Sequence, residues 1–474
     1  MNSLSARALA TLIVGWRTSG SGPAYSALAD RIRLLVLDGR LALGTRLPAE
    51  RELAAQLELS RTTVSAAYAE LRESRYLDSV RGSGSVVRMP SRGSSLLEPL
   101  TTPDFLDFSK ATLPAVPKVA AAAERAAALL PSYLGESGFD PMGLRVLRQA
   151  LAERYSVRGL PTDADEIMIT IGAQHAIGLL ARTLLSRGDR ALVEAPSYPH
   201  AFESLKASGA RLVPVPVTTD EGWDEAALEQ ALQRTSPTLG YLMPDYHNPT
   251  GRSMSPELRE RVIHLAERQG TTLVADETVG ELGLDHQAAR PPFAASGRAV
   301  TIGSVGKTVW GGLRLGWIRA DRELIQRAAR LRFASDLGTP VFEQLIVLEL
   351  LGEYDRILVD RRDYLRAGRD HLVARLHEKL PQWNVPHAEG GLTVWVNLEA
   401  PVSSQLALAA RNHGLVIAAG PRFGMDGVFE RFIRIPFSHP TEQIDGAVDA
   451  LAAAWHDVAR NPNMVGQEDF AAVV

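Results

Sequence analysis

A series of short apolar segments, each followed by glycine or polar residues, is the feature that most constrains the fold of this chain. Five of them lie between residues 166 and 306 and read EIMITIG, RALVEAP, TLGYLMP, TTLVADE and AVTIGSVG. Stretches with helical spacing of apolar residues separate them. This alternation predicts an α/β domain whose mostly parallel sheet carries helices on both faces. The residues that follow each strand are expected at the edge where ligands bind in open α/β sheets.

The pattern changes after about Asp321, where a long helical segment begins. The strands predicted in GGLTVWVNL and FIRIPFS follow it and indicate a smaller α+β lobe. We expect a large lobe at about residues 165–325. The small lobe is expected at about residues 326–474, together with part of residues 105–160. The predicted body therefore spans residues 105–474, and the 474-residue chain has room for another domain.

Residues 23–89 have closely spaced helical patterns instead. YSALADRIRLLVLDGRL ends near Gly39, LPAERELAAQL begins with Pro48, and LSRTTVSAAYAELRE begins with Ser60, a favourable N-cap. YLDSVRGSGSVVRM then predicts two short strands joined by the turn RGSGS. Three helices followed by a hairpin indicate a winged helix-turn-helix.

Two further segments flank this unit. Residues 1–22 are an N-terminal extension in which ALATLIVGW is too short to span a bilayer, so we expect a short amphipathic helix that packs on a neighbour. Residues 90–104 are rich in Pro, Ser, Thr and Gly and predict an interdomain linker. No membrane association is expected, and the absence of cysteine fits a reducing cytoplasm and leaves no thiolate ligands for a metal site.

The charge of the chain is unevenly distributed. Residues 1–90 hold twelve arginines, no lysine and eight acidic residues, a net charge of +4, whereas the remainder carries −8. A basic N-terminal part on an acidic body predicts that any polyanion is bound by the N-terminal part. The winged helix-turn-helix pattern indicates double-stranded DNA as that polyanion. The helix of LSRTTV carries its polar residues at its start, the end that enters the major groove. Arg61 suits a guanine there, while Ser60, Thr62 and Thr63 suit phosphates or bases.

Residues 23–88 resemble the DNA-binding domain of the GntR family, whose motifs stand here as LPAERELA, SRTTVSAAYAEL and RGSGSVV. The resemblance covers essentially the whole unit. It implies that Arg51, Ser60, Arg61, Thr62 and the turn at Gly82 contact the operator. A capped surface helix with an unrelated arginine is the alternative for SRTT alone, and the three helices, the wing and the charge together argue against it.

Lys307 lies in a glycine-rich turn after the strand TIGSVG. A lysine in such a turn can be desolvated, which lowers its pKa and makes it nucleophilic. Arg314, seven residues later, is within reach of a phosphate as a bidentate donor, and Ser304 offers a hydroxyl on the same turn. These are groups that pyridoxal 5′-phosphate requires, and the lysine would form the imine.

Four other motifs add the remaining partners of this cofactor. ITIGAQHAIGLL places the backbone of Ala173 and Gln174 at a helix start, where anions bind. Asp276 ends a strand and suits a protonated pyridine nitrogen, Asn248 suits the 3′ oxygen, and Tyr198 suits the ring face. Each alone has an ordinary explanation as a helix cap, a turn or a core residue. Their order and their positions at strand ends favour one shared site.

Residues 105–474 resemble fold-type I aminotransferases over nearly their full length, on the motifs GAQHAI, EAPSYP, HNPTG, VADE and SVGKTVWGGLRLGW. The resemblance implies that Lys307 forms the Schiff base and that Asp276 pairs with the pyridine nitrogen. It makes Asn248 the donor to the 3′ oxygen. It assigns the phosphate to Ala173, Gln174, Ser304 and Arg314. RFIRIPFS resembles the strand of the substrate-carboxylate arginine, which is then Arg434, with Arg431 as the second candidate.

The two units in this order resemble the MocR subfamily of GntR regulators. That resemblance implies a homodimer in which each DNA-binding domain crosses to the partner's body. Some hydroxyls of the family are absent: Thr278 and Val279 stand where a tyrosine follows the aspartate, and Phe139 stands where a tyrosine often reaches the partner's phosphate. Gly306 precedes the lysine where many aminotransferases have serine. The missing groups predict at most weak aminotransferase activity.

Three functions follow from these observations. The first is a regulator that senses pyridoxal 5′-phosphate or its Schiff base with an amino acid or amine effector, and that controls vitamin B6 or amino-acid and amine metabolism genes. The second is an active aminotransferase with an appended DNA-binding domain. The third is a DNA-binding protein whose body only dimerises. The set of cofactor residues argues against the third, and the fusion with the missing hydroxyls favours the first.

Overall fold

Two separate hydrophobic cores organise the computed structural model, one in the N-terminal unit and one larger assembly in the body. The structure describes residues 3–13, 23–37, 41–80, 84–88, 105–285, 290–425 and 427–459. Residues 81–83, with the predicted contact Gly82, and the whole of the predicted linker, residues 90–104, lie outside the described residues.

The N-terminal unit has the elements of a winged helix-turn-helix. They are α1 (Ala6–Leu12), α2 (Ala24–Leu37), α3 (Glu50–Leu57), α4 (Arg61–Glu73), β1 (Leu77–Val80) and β2 (Gly84–Val87). The two strands pair antiparallel, from Leu77 opposite Val87 to Val80 opposite Gly84. The order of three helices and a hairpin predicted for residues 23–89 is confirmed.

The start of α3 differs from the prediction. The helix begins at Glu50, because Ala49 is still extended, and Pro48 lies before the helix. The carbonyl of Pro48 accepts a 3.0 Å hydrogen bond from the buried Tyr68 hydroxyl of α4. Pro48 therefore links the segment before α3 to α4 through this hydrogen bond, and it is not the first residue of α3.

The segment before α2 shares the core of this unit. Leu9 of α1 and Ile13 are fully buried among the helices, and the Leu4 N–H donates to the Arg46 carbonyl at 2.9 Å. Ser5 is the N-cap of α1, and its hydroxyl accepts from the Ala8 N–H at 3.2 Å. A short helix that packs on a neighbour was predicted here, and the neighbour is α3.

The body alternates strands and helices in the way the sequence pattern predicts. Its strands are β3 (Leu106–Phe108), β4 (Ile167–Thr170), β5 (Arg190–Ala195), β6 (Arg211–Thr218), β7 (Gly222–Trp223), β8 (Leu239–Leu242), β9 (Thr272–Asp276), β10 (Val300–Ser304), β11 (Gly316–Arg319), β12 (Thr393–Asn397), β13 (Leu415–Ala419) and β14 (Phe432–Pro436). Its helices are α5 (Lys118–Leu129), α6 (Arg145–Val157), α7 (Ala173–Leu184), α8 (Pro199–Ala207), α9 (Glu225–Thr235), α10 (Pro256–Gln269), α11 (Arg322–Arg332), α12 (Val341–Leu351), α13 (Tyr354–Lys379), α14 (Ser403–Asn412) and α15 (Thr441–Ala459).

The large sheet is mixed but mostly parallel, in the order β4-β11-β10-β9-β8-β5-β6-β7. The strands from β10 to β6 run parallel to their neighbours, whereas β11 is antiparallel to β10 and β4, and β7 is antiparallel to β6. The carboxyl ends of β4, β5, β8, β9 and β10 therefore meet at one edge of the sheet.

Both faces of this sheet are covered by helices, as predicted. In β4, Ile167 and Ile169 join one hydrophobic cluster and Met168 joins the other. This division follows from the alternation of side chains along a strand. The second cluster includes Ile177 of α7 and Ile325 of α11, while the first includes Val262 of α10.

A four-stranded sheet in the order β12-β14-β13-β3 forms the smaller lobe with α13, α14 and α15. The register places Arg434 of β14 between Trp395 of β12 and Ala418 of β13. None of the helices in the described part of the chain combines the length and apolar character that a membrane crossing requires.

Candidate functional site

The predicted cofactor residues converge at the carboxyl edge of the large sheet. Lys307 lies on a short π-helical turn, Gly306–Trp310, that directly follows β10. Its Nζ donates to the carbonyl of Ala111 at 2.5 Å. Burial first, and the cationic Arg434 second, lower the pKa of Lys307 from 10.5 to about 8, with Asp276 partly opposing both effects. A lowered pKa favours the neutral, nucleophilic amine that the predicted imine requires.

Asp276 occupies the end of β9, as predicted, and is buried. One carboxylate oxygen accepts from the Tyr241 hydroxyl at 2.6 Å, and the other accepts from the Thr278 N–H at 3.0 Å. Burial raises the pKa of Asp276, while these two donors favour the charged form. Tyr241 was not predicted, because it lies on β8, a strand that only the folded sheet places beside β9.

Arg314 lies beside the start of α7, where the anion site is predicted. Arg314 has a left-handed backbone, with φ of 48°, and its Nη2 donates to the Ile171 carbonyl at 3.2 Å. Gly172 precedes α7 with φ of 82°, and a Cβ there would lie 3.1 Å from the same Arg314 nitrogen. Only glycine suits this position, which leaves the N–H groups of Ala173 and Gln174 at the helix start beside a guanidinium.

Two predicted phosphate ligands have other side-chain partners. The Gln174 amide donates to the His200 carbonyl at 3.2 Å and to Ser204 Oγ at 2.9 Å, so its backbone N–H is the group left for an anion. The Ser304 hydroxyl donates to the Leu315 carbonyl at 2.9 Å and accepts from the Gly306 N–H at 3.0 Å. A phosphate contact by Ser304 stays a prediction that requires its hydroxyl to rotate.

Arg434 is buried in the same site. Its Nη2 donates to the Ser109 carbonyl at 2.6 Å, and its Nη1 donates to Asn248 Oδ1 at 3.3 Å. Burial first, and the charge of Arg422 second, lower its pKa to about 10. Its Nε has no hydrogen-bond partner in the described part of the chain. Arg431 is exposed and donates instead to the Glu399 carbonyl at 2.9 Å, so the geometry favours Arg434 for a ligand carboxylate.

Tyr198 is half-buried at the start of α8, with its ring edge-on to His200 at a centroid distance of 5.3 Å. Burial, and then the charge of Asp276, raise its pKa to about 12, so the phenol stays neutral. Tyr198 therefore lies close enough to Asp276 to be affected by its charge, and its stacking on the cofactor ring stays a prediction.

A buried polar contact supports the loop that carries Asn248. His247 Nε2 lies 3.2 Å from Glu194 Oε2, and both side chains are fully buried. Glu194 also accepts from Trp223 Nε1 at 2.8 Å and from the Met243 N–H at 2.9 Å. The sequence shows His247 within HNPTG, but its partner Glu194 on β5 is distant in sequence, so the contact could not be predicted.

The predicted DNA-contacting residues lie at or near the start of α4. Arg51 of α3 and Arg61 and Thr62 of α4 are exposed. The Ser60 hydroxyl caps α4 by accepting from the Thr63 N–H at 3.0 Å, and it also lies 2.7 Å from the hydroxyls of Thr62 and Thr63. Ser60 therefore has a structural function in addition to any contact with DNA.

The residues at the sheet edge fit pyridoxal 5′-phosphate. Lys307 is affected by the charges of Arg434 and Asp276, and Tyr198 by those of Asp276, Arg434 and Arg314, so these charged groups share one site. Arg314 and Arg434 donate only to neutral oxygens, and the Nε of Arg434 lacks a partner among the described residues. A dianionic phosphate beside Arg314 and a protonated ring nitrogen beside Asp276 would balance these charges.

Comparison with known protein families gives two matches on this chain. Residues 100–451 match the family described as aminotransferase class I and II, and residues 24–87 match the bacterial regulatory proteins of the gntR family. The matches cover the body and the winged helix-turn-helix separately.

Individual relatives repeat this division. The HTH-type transcriptional regulator YdfD of Bacillus subtilis is 25% identical over 459 residues, covering 88% of this chain and 93% of its own. The 2-aminoadipate transaminase of Thermus thermophilus is 30% identical over 314 residues, covering 65% of this chain and 76% of its own. Among solved structures, the α-aminoadipate aminotransferase LysN of Thermus thermophilus, complexed with N-(5′-phosphopyridoxyl)-L-leucine, aligns with a TM-score of 0.69 at 27% identity. That alignment covers 75% of this chain and 93% of that one.

Proposed function

The chain belongs to the aminotransferase class I and II family and carries a GntR-type DNA-binding domain, the combination found in the MocR subfamily, and on this premise we propose a ligand-sensing transcription regulator. The family and its solved structures imply pyridoxal 5′-phosphate as the cofactor. The proposed signal is this cofactor, alone or joined to an amino acid or amine. The proposed targets are genes of vitamin B6 or of amino-acid and amine metabolism.

One observation carries the proposal: a desolvated lysine in a cationic site lies on the same chain as an exposed recognition-helix arginine. When bound, the cofactor supplies an aldehyde that reacts with amines and an electron-withdrawing ring. Lys307 would offer its neutral amine, and the Asp276 carboxylate would accept a hydrogen bond from the protonated ring nitrogen. The phosphate would be held by Arg314, the hydroxyl of Ser304 and the N–H groups of Ala173 and Gln174.

The remaining site residues would bind and orient the effector. Asn248 uses its oxygen for Arg434, which leaves its amide N–H₂ free to donate to the 3′ oxygen. Tyr198 covers the ring face. Arg434 meets the carboxylate of an amino acid, since its present acceptors are neutral oxygens that a carboxylate can replace.

An active aminotransferase is the second candidate, and the retained Lys307 and Arg434 favour it, as does the name of the Thermus thermophilus relative. Thr278 and Val279 occupy the second and third positions after Asp276, so neither position supplies a phenol. The Tyr241 hydroxyl does not replace that phenol, because it is bonded to Asp276 itself. We therefore propose weak turnover at most.

The proposed regulator is a homodimer in the cytoplasm, with each DNA-binding domain crossing to the partner. An exposed apolar patch supports the dimer. It comprises Leu134, Phe139, Phe333 and Leu337, and Gly338 packs directly against Asp140. The proposed divisions are a DNA-binding unit at residues 23–89, a linker at 90–104 and a body at 105–474. The described residues 3–13 pack within the first of these.

The test is operator binding with and without pyridoxal 5′-phosphate, using DNA from the region upstream of the gene and the full-length protein. We expect the cofactor to change DNA affinity or footprint in the parent and not in Lys307→Ala. Arg61→Ala is expected to lose roughly ten- to a hundredfold in specific binding. The exposed Arg187→Ala on the body is the matched control, with parental binding.

The outcomes separate the candidates. An unchanged footprint together with rapid amino-group transfer from amino acids would favour the aminotransferase. Absence of the absorbance band of bound cofactor in the parent protein would refute cofactor binding. Equal DNA affinity of Arg61→Ala and Arg187→Ala would contradict the assignment of α4 as the recognition helix.

A further inference from the structure

Arg422 is a cation at the ligand site that the proposed function leaves without a role. It lies on the turn Gly420–Phe423 that follows β13. Ala418 of β13 is paired with Arg434 across the small sheet, so the turn begins two residues from the position beside Arg434. The next residue, Phe423, places its ring 4.7 Å from the guanidinium carbon of Arg434.

The same turn also borders the cofactor pocket. The carbonyl of Phe423 accepts a 2.9 Å hydrogen bond from the N–H of Ser197, the residue before Tyr198. The turn that carries Arg422 therefore borders both Arg434 and the segment that leads into Tyr198. Its side chain is exposed at this rim, and its charge is close enough to Arg434 to disfavour the charged form of that buried guanidinium.

No carboxylate compensates Arg422 within the described part of the chain. Nearby acids have other partners: Glu203 pairs with His200 at 2.9 Å, and Glu430 accepts from the hydroxyls of Ser403 and Ser404. Two guanidiniums of like charge, one of them buried, thus lie close together, and neither is paired with an acid among the described residues. Such an arrangement favours an anionic ligand.

The charges of a ligand can be assigned group by group. The cofactor phosphate takes Arg314 and the start of α7, and an α-carboxylate takes Arg434. Arg422 remains for one more anionic group. Accepting the proposed function, we infer that Arg422 forms a second anion subsite and that the effector is an amino acid with an acidic side chain.

The experiment uses the full-length protein loaded with pyridoxal 5′-phosphate and follows the absorbance of the bound cofactor during titration with amino acids. Glutamate is compared with glutamine, and aspartate with asparagine, because each pair differs in charge and hardly in size. We expect the parent to bind the better acidic amino acid about ten- to a hundredfold more tightly than its amide, as one charge-assisted hydrogen bond provides.

Arg422→Gln is expected to remove this preference while leaving the affinity for the amides unchanged. Arg422→Lys should restore part of it, since a point charge lacks the bidentate geometry of guanidinium. The matched control is Arg431→Gln, which removes another exposed arginine nearby and should keep the parental preference.

Equal binding of acid and amide by the parent would overturn the inference, as would an Arg422→Gln variant that weakens both alike. The inference also fails if no acidic amino acid alters the spectrum. These results differ from failure of the proposed function, which would appear as a missing cofactor band or as DNA binding that ignores the cofactor.

Discussion

At the scale of single residues, the surroundings of the Lys307 amine determine its pKa. Burial and the neighbouring Arg434 hold its pKa at about 8, against 10.5 for an exposed lysine. Both effects disfavour the charged form, so the reactive neutral amine becomes abundant at lower pH. We predict that the rate of cofactor capture by the cofactor-free protein rises with pH with a midpoint near 8, measured by stopped-flow absorbance.

The variant Arg434→Gln removes one of the two causes and should move this midpoint upward. A midpoint near 10.5 in the parent would show that the amine is solvated. Because the pKa is lowered on folding, the lysine costs stability below pH 8, and this cost is relieved as pH rises towards 10.5.

Tyr241 is a second residue that acts through one contact, the hydrogen bond from its hydroxyl to Asp276. It donates at 2.6 Å to a buried oxygen of Asp276. We predict that Tyr241→Phe lowers the free energy of unfolding by about 1–3 kcal/mol, since it leaves that carboxylate oxygen without its donor. Thermal or urea unfolding measures this loss.

Tyr364→Phe is the control, because its hydroxyl is only partly buried and lies 3.3 Å from the Ser438 carbonyl. Equal effects of the two substitutions would argue against a special contribution from Tyr241. If the absorbance band of bound cofactor keeps its pH dependence in Tyr241→Phe, the protonation state of Asp276 does not depend on Tyr241.

The predictable residues of the site are those joined by local spacing. Lys307 and Arg314 share one turn, and Ala173 and Gln174 follow one strand, so the sequence places each pair together. Tyr241 and Arg422 act across strand pairings between β8 and β9 and between β13 and β14. Such contacts depend on strand order and register, which the periodicity of a segment does not contain.

At the scale of elements, α1 is a short helix that depends on packing. Seven residues are too few for a stable isolated helix, so burial of Leu9 is what holds it on the DNA-binding unit. We predict that Leu9→Ala destabilises that unit by about 2–5 kcal/mol. The loss should appear as an earlier unfolding step and weaker DNA binding.

Arg7→Ala, on the exposed side of the same helix, is the control and should behave like the parent. If Leu9→Ala also left unfolding and DNA binding unchanged, α1 would be dispensable for the unit.

Two strands, β6 and β11, were not predicted, because their sequences lack the usual signals of a strand. Residues 211–218 form β6 although Pro214 and Pro216 occupy it, because β6 pairs along its length with β5 alone and meets β7 only at its end. Proline is tolerated where one side of a strand needs no donor. The short strand β11 was missed for a different reason, since GWIR continues the glycine-rich segment after Lys307.

At the scale of the whole molecule, the exposed patch with Phe139 predicts self-association. Phe139 exposes 67% of its surface, so its replacement should cost the protomer little stability. We predict that Phe139→Asp weakens the dimer by at least tenfold, measured by sedimentation at nanomolar to micromolar concentrations, because a charge would be desolvated at the interface. Val157→Asp, at the exposed end of α6, should sediment as the parent does, and identical sedimentation of both variants would place the interface elsewhere.

Two backbone carbonyls described above have a consequence for how the halves communicate. The Ser109 carbonyl accepts from Arg434 and the Ala111 carbonyl accepts from Lys307. Both carbonyls lie only a few residues beyond the predicted linker. A ligand must therefore compete with the chain's own backbone for both cations. We predict that adding pyridoxal 5′-phosphate and an amino acid speeds hydrogen exchange at residues 105–116 in the parent but not in Lys307→Ala. Unchanged exchange in the parent would rule this competition out. If it holds, the signal does not have to cross the sheet, because the segment that the ligand displaces is the one that leads to the DNA-binding domain.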